Sequence, residues 1–124
     1  MNVLIADDDA DLRELVTIAV EKAGGAVVAA VGTGTDAWAV LQSTQVDLAV
    51  LDISMPGMTG LEVTRLAREH PALRDLTILI ITADGSVTIG EEATAAGADA
   101  LIRKPFQVRE LVRSLRDLGT TSDR

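Results

Sequence analysis

Cysteine is absent from this 124-residue chain, which excludes a disulfide framework and thiolate metal ligands and is compatible with a reducing cytoplasm. Aromatic side chains are scarce: with one Trp, one Phe and no Tyr, a chain that is 48% hydrophobic must build an aliphatic core. Such a core suits strands of Val, Ile and Leu buried on both faces. No apolar stretch reaches the roughly 18 residues that span a bilayer, and the N-terminus has neither a basic leader nor a cleavage-site pattern. The expectation is a soluble, cytoplasmic protein without membrane contact. Cations are also in deficit, since 11 Lys and Arg face 19 Asp and Glu, for a net charge of −8 and a pI near 4.4. That is the opposite of the basic patch of a nucleic-acid binder, so no direct nucleic-acid contact is expected. The length is close to the commonest domain size and leaves no room for a second folded domain.

What the chain does have is alternation. Apolar runs of strand length at residues 2–6 (NVLIA), 26–31 (AVVAAV), 46–51, 76–81 and 99–103 are each followed by a segment of helical period, at 10–23, 35–43, 60–69, 87–96 and 106–118. Leu12, Leu15, Val16 and Ala19 share one face of the first helix, and Val108, Leu111, Val112 and Leu115 face inward on the last. Gly24-Gly25 ends the first helix and Pro71 the third. Five strands and five helices in strict alternation predict a doubly wound α/β sandwich, (βα)5, with a parallel sheet, right-handed crossovers and helices on both faces. Residues 1–119 form that domain, and residues 120–124 read as a frayed tail.

In such a sheet the carboxyl ends of the strands share one edge, where ligands bind. Four of these runs lead into polar residues: Asp7 and Asp8 after the first, Asp52 after the third, Thr82 after the fourth and Lys104 after the fifth. Singly, each has a bland explanation. Asp7 to Asp9 read as loop polarity and a helix cap, Thr82 as a β-branched strand residue and Lys104 as a surface cation. Asp9 alone suffices for capping, however, and carboxylates gathered at one edge repel unless a proton or cation neutralises them. Oxygen-only ligands favour a hard ion such as Mg²⁺, with Mn²⁺ as a substitute. Asp52 then reads as a covalent nucleophile toward phosphorus, with Lys104 countering charge on the transferring group and the Thr82 hydroxyl donating to one of its oxygens. Pro105 permits a cis bond at the turn that would aim Lys104 inward. Gly57 and Gly60 read as turn residues, and His70, before Pro71, as a surface residue.

The strings VLIADDDADLRELV, DLAVLDISMPGMTGLE, ITA around Thr82 and GADALIRKPF together resemble the receiver domain of bacterial response regulators, the chemotaxis-regulator-like fold, over residues 2–118. The resemblance implies a flavodoxin-like strand order of 2-1-3-4-5. It implies that Asp52 accepts a phosphoryl group from a phosphohistidine on a sensor histidine kinase or histidine phosphotransfer protein. Asp7, Asp8, Asp52 and the Ser54 backbone carbonyl would bind Mg²⁺, and Thr82 and Lys104 would hold the phosphoryl oxygens. Ser54 and Asp84 match side positions that tune the lifetime of the acyl phosphate. The implied protein is not an enzyme in the ordinary sense, catalysing only its own phosphorylation and slower hydrolysis.

Leu101 departs from the family, where a Tyr or Phe ring at this position turns inward as the threonine moves toward the phosphoryl group; Leu has neither ring area nor hydroxyl. On the output face, Glu91 and Glu92 of the fourth helix and Arg109, Arg113 and Arg116 of the last suggest a homodimer through the fourth helix, fifth strand and last helix, against the plainer reading of two solvated faces. Two other functions fit parts of the pattern. A degenerate receiver would act as a constitutive interaction module, with Leu101 its first sign of decay. A haloacid-dehalogenase-like phosphatase would use Asp7 and Asp9 as an Asp-x-Asp motif, although that family needs Thr or Val where this chain has Asp11. No effector motif fits after residue 118, so the expectation is either a stand-alone receiver working on a downstream protein partner or the front of a longer regulator lacking its effector domain.

Overall fold

The computed structural model describes residues 1–122. The elements run β1 (Asn2–Ala6), α1 (Ala10–Lys22), β2 (Ala26–Val31), α2 (Gly34–Ser43), β3 (Leu48–Asp52), α3 (Gly60–Glu69), a 3-10 turn at Pro71–Leu73, β4 (Thr77–Thr82), α4 (Val87–Ala96), β5 (Ala100–Arg103) and α5 (Val108–Ser122). All strand pairs are parallel, and the order across the sheet is β2-β1-β3-β4-β5. The predicted doubly wound α/β architecture and strand order are both present. β3 and β4 start later than the apolar runs suggest and reach one residue further, so Asp52 and Thr82 are strand residues, with Asp52 opposite Ile81 in the ladder. α5 continues to Ser122, past the predicted helix end at Leu118 and into the segment read as a frayed tail; Asp123 and Arg124 of that tail lie outside the described residues.

The core follows from side-chain alternation along the strands. Val3 and Ile5, Leu48 and Val50, and Leu79 and Ile81 face one side, where α1 and α5 supply Val16, Ala19, Val20, Leu111 and Leu115. Leu4, Ala49, Leu51, Ile78 and Ile80 face the other, against Ala37, Leu41, Leu61, Val63 and Ala67 of α2 and α3. Each large aliphatic side chain so buried contributes about 1.5–3 kcal/mol. The three central strands are thereby fixed by two apolar layers, which fixes the height at which Asp7, Asp52 and Thr82 emerge. The edge strand β2 is half exposed and its register slips at Val28, a bulge that makes the free edge a poor template for another strand.

Helix starts are capped by local side chains. The Asp9 carboxylate accepts from the Asp11 and Leu12 amides, the Ser86 hydroxyl from Ile89, and Thr59 forms a reciprocal capping box with Glu62. Gly97 ends α4 at a φ of 105°, a left-handed conformation that suits glycine. Pro71 stops α3 as read, and His70 is exposed, its Nδ1 accepting from the Ala72 amide.

Candidate functional site

At the carboxyl edge of β1, Asp7 is buried. Its amide donates to Val31 O at 3.0 Å, and its Oδ1 accepts from the Asp9 amide at 2.9 Å. Those bonds leave Oδ2 aimed at Lys104, whose Nζ lies 3.4 Å away. The same Nζ is 3.3 Å from Asp52 Oδ2 at the end of β3. Asp8 is exposed, yet one carboxylate oxygen from each of Asp7, Asp8 and Asp52 falls within 4.8 Å of the others. Three residues from two strand ends thus form one acidic cluster, and the fifth strand delivers its counter-ion. Lys104 is held there by its own backbone, because its amide donates to Thr82 O at 2.7 Å. The Lys104–Pro105 peptide is cis.

Asp52 is 5% exposed, and its carboxyl is pushed above the usual range, first by burial and then by the charge of Asp7. Lys104 and the Ser54 backbone N–H pull in the other direction and do not win. A carboxylate held in this way is poorly solvated, a state that favours a metal ion or a bond to phosphorus. Thr82 is buried at the same edge, and its Oγ1 accepts from the Asp84 amide at 3.0 Å while keeping its own proton to donate. Asp84 is fully exposed; its carboxyl lies below the usual range because the Ser86 amide, then the Ser86 hydroxyl, donate to it. Ser54 is exposed, two residues past Asp52, and Leu101 is half-buried against the α2–α4 side of the core.

The loop after Asp52 is seated by glycines. The Gly60 amide donates to Ile53 O at 3.1 Å, and a Cβ at Gly60 would collide with the carbonyl of Asp52 itself. Gly57, at a φ of 81°, packs against the Thr35 side chain, and a Cβ at Gly34 would collide with the Met58 carbonyl. The sequence marks Gly57 and Gly60 only as turn residues and gives Gly34 no role, because its contact is with a loop two elements away. Two arginines were likewise invisible. Arg13 donates to Asp7 O at 2.7 Å, and Arg103 donates to Ser86 O at 2.9 Å.

Residues 3–116 match the family model of the response regulator receiver domain. The chain belongs to that family. The phosphate regulon transcriptional regulatory protein PhoB of Pseudomonas aeruginosa is 37% identical over 114 residues, covering 92% of this chain and 49% of PhoB. The DNA-binding response regulator MtrA of Mycobacterium tuberculosis is also 37% identical over 114 residues, 92% of this chain and 48% of MtrA. The chain therefore spans about half the length of these curated relatives. Among solved structures, the chemotaxis response regulator CheY4 of Vibrio cholerae superposes with a TM-score of 0.86 at 31% identity, over 94% of this chain and 97% of that one. A CheY-like receiver domain protein from Methanospirillum hungatei gives 0.88 at 26% identity, over 98% and 95%.

This receiver domain does not form the Asp-x-Asp site of the phosphatase reading, because Asp9 is spent on the α1 cap rather than turned toward Asp7 and Asp52. The basic side chains of the charge split drawn for a homodimer line a groove within the chain. Arg109, Arg113 and Arg116 border a cavity of about 600 Å³ together with Lys22 of α1, and Arg116 donates to Lys22 O at 3.1 Å.

Proposed function

We propose that this receiver domain accepts a phosphoryl group on Asp52 from a phosphohistidine of a sensor histidine kinase or phosphotransfer protein. The observation that carries the reading is the single lysine placed between Asp7 and Asp52, at 3.4 and 3.3 Å, inside a cluster of three carboxylates. A structural ion pair needs one carboxylate; three at one edge exceed any capping or pairing need. Their oxygen-only donor set fits Mg²⁺, with Asp7, Asp8, Asp52 and the Ser54 carbonyl as its holders. When bound, the ion supplies Lewis-acid neutralisation of the phosphoryl oxygens.

The Asp52 carboxylate oxygen forms a bond to phosphorus while the P–N bond of the donor breaks, and its electron pair returns to the imidazole, which takes a proton from water. Lys104 swings its charge from the two carboxylates onto the transferring group, and the Thr82 hydroxyl donates to a phosphoryl oxygen. Hydrolysis of the acyl phosphate, tuned by Ser54 and Asp84, resets the domain. The protein thus acts as a phosphoacceptor that catalyses only these two steps on itself, in the cytoplasm. Output passes through protein contacts, to a downstream partner or to an effector region; the relative MtrA is by name a DNA-binding response regulator.

Intact-protein mass spectrometry after incubation with acetyl phosphate tests the reading. Wild type with Mg²⁺ gains one phosphoryl mass, while wild type with EDTA and Asp52→Asn with Mg²⁺ do not. A phosphoryl adduct on the Asp52→Asn protein would sink it.

A further inference from the structure

The loop from Thr82 to Ser86 is a relay of short polar side chains. Thr82 Oγ1 accepts from the Asp84 amide at 3.0 Å, Asp84 Oδ1 from the Ser86 amide at 2.8 Å, and Ser86 Oγ from the Ile89 amide at 3.2 Å. These three bonds lead from the acidic site to the first turn of α4. The far end is fastened from outside the loop by Arg103, whose Nη2 donates to Ser86 O at 2.9 Å. On β5, Ala100 and Ile102 pack toward α1 and α5, while Leu101 packs on the opposite face. By strand alternation Arg103 rises on Leu101's side, one pleat nearer the site. On that face it is the next side chain after Leu101.

A cation over a helix N-terminus opposes the helix dipole, so helix stability does not account for the placement of Arg103 above α4. The Asp84 carboxylate partly offsets that cost, since Arg103 is among the charges that hold its carboxyl low, after the two Ser86 contacts. We propose that Arg103 is a positioning residue that latches the β4–α4 loop, and through it the Thr82 hydroxyl, in the arrangement of the unphosphorylated domain. The inference rests on the reading of Asp52 as phosphoacceptor. When Thr82 turns to a phosphoryl oxygen, the Asp84 amide loses its acceptor and the relay must re-form; Arg103 holds the old arrangement by its grip on Ser86. Removing the grip shifts the population toward the turned state before any phosphoryl group arrives.

The test follows Mg²⁺-beryllofluoride, a phosphoryl mimic, into wild type, Arg103→Lys and Arg103→Ala by amide NMR of Asp84, Ser86 and Ile89. In Arg103→Ala without mimic, these amides are expected to lie part-way along the line that wild type traces on binding. Mimic affinity should rise roughly fivefold, the scale of one exposed charge-assisted hydrogen bond. Arg103→Lys should fall between the two. A lower melting temperature with unchanged amide positions and unchanged mimic affinity would make Arg103 an ordinary surface contact and overturn the proposal. Absence of any response in wild type, with no phosphoryl adduct on Asp52, would instead remove the phosphoacceptor reading beneath it.

Discussion

Asp52 pays for its chemistry in stability. Burial and the neighbouring Asp7 together outweigh Lys104 and raise its carboxyl above its ordinary value of 3.8. A carboxyl whose folded value is raised binds its proton more tightly when folded, so the folded state loses stability as pH climbs from 3.8 through the higher folded value. Replacing it by a neutral isostere removes that loss. We therefore expect Asp52→Asn to melt above wild type at pH 7 in EDTA, the gain shrinking to nothing as pH falls below the unfolded value; calorimetry across that range checks it, and a lower melting point at pH 7 would mean that the Lys104 attraction dominates. Asp7, Asp8, Asp52, Thr82 and Lys104 were legible because each follows an apolar run, and a parallel sheet turns run ends into neighbours. Arg13 and Arg103 were not, because each acts through a guanidinium reaching a backbone carbonyl, for which no periodicity exists.

At the level of elements, Arg68 ties together several segments at the end of the sheet away from the acids. Arg68 of α3 donates to Gly97 O at 2.8 Å, Arg74 O at 3.1 Å and Leu76 O at 2.6 Å, and pairs with Asp99 at 2.9 Å. It thus joins α3, the turn before β4 and the end of α4. Arg68→Ala strands the part-buried Gly97 and Leu76 carbonyls and is expected to cost about 2–3 kcal/mol by urea unfolding, with the Asp52 phosphoryl adduct still forming because the acids stand at the other edge. Gly60→Ala makes the opposite case. Its Cβ meets the Asp52 carbonyl, so the loop carrying Asp52 and Ser54 must shift, and phosphoryl uptake should fall at least tenfold even where circular dichroism shows the protein folded. Element types and most helix starts could be read from period and caps. The strand ends at Asp52 and Thr82 could not, since polar residues close the apolar run while the ladder carries on through their backbones.

For the whole molecule, alternation dictates a doubly wound sheet but is silent on its strand order, which came from family resemblance. It was equally silent on the groove where Lys22 meets Arg109, Arg113 and Arg116, because helix period cannot say which flank of α5 borders α1. That groove bears on the exclusion of nucleic acid, for it gathers cations on a chain of net charge −8. At physiological salt the screening length is about 8 Å, so a phosphate backbone at the groove would feel the local cations more than the distant acids. Even so, four cations neutralise fewer phosphates than the 6–10 contacts of a typical DNA binder, and Asp117 sits at the same rim. The domain is expected to bind a duplex of about 20 base pairs no tighter than about 100 µM at 0.15 M salt, the weak limit of non-specific association. Fluorescence anisotropy measures this directly. Binding in the low micromolar range, lost in Arg109→Glu/Arg113→Glu, would make the groove a nucleic-acid surface and show that local charge had overruled the net charge.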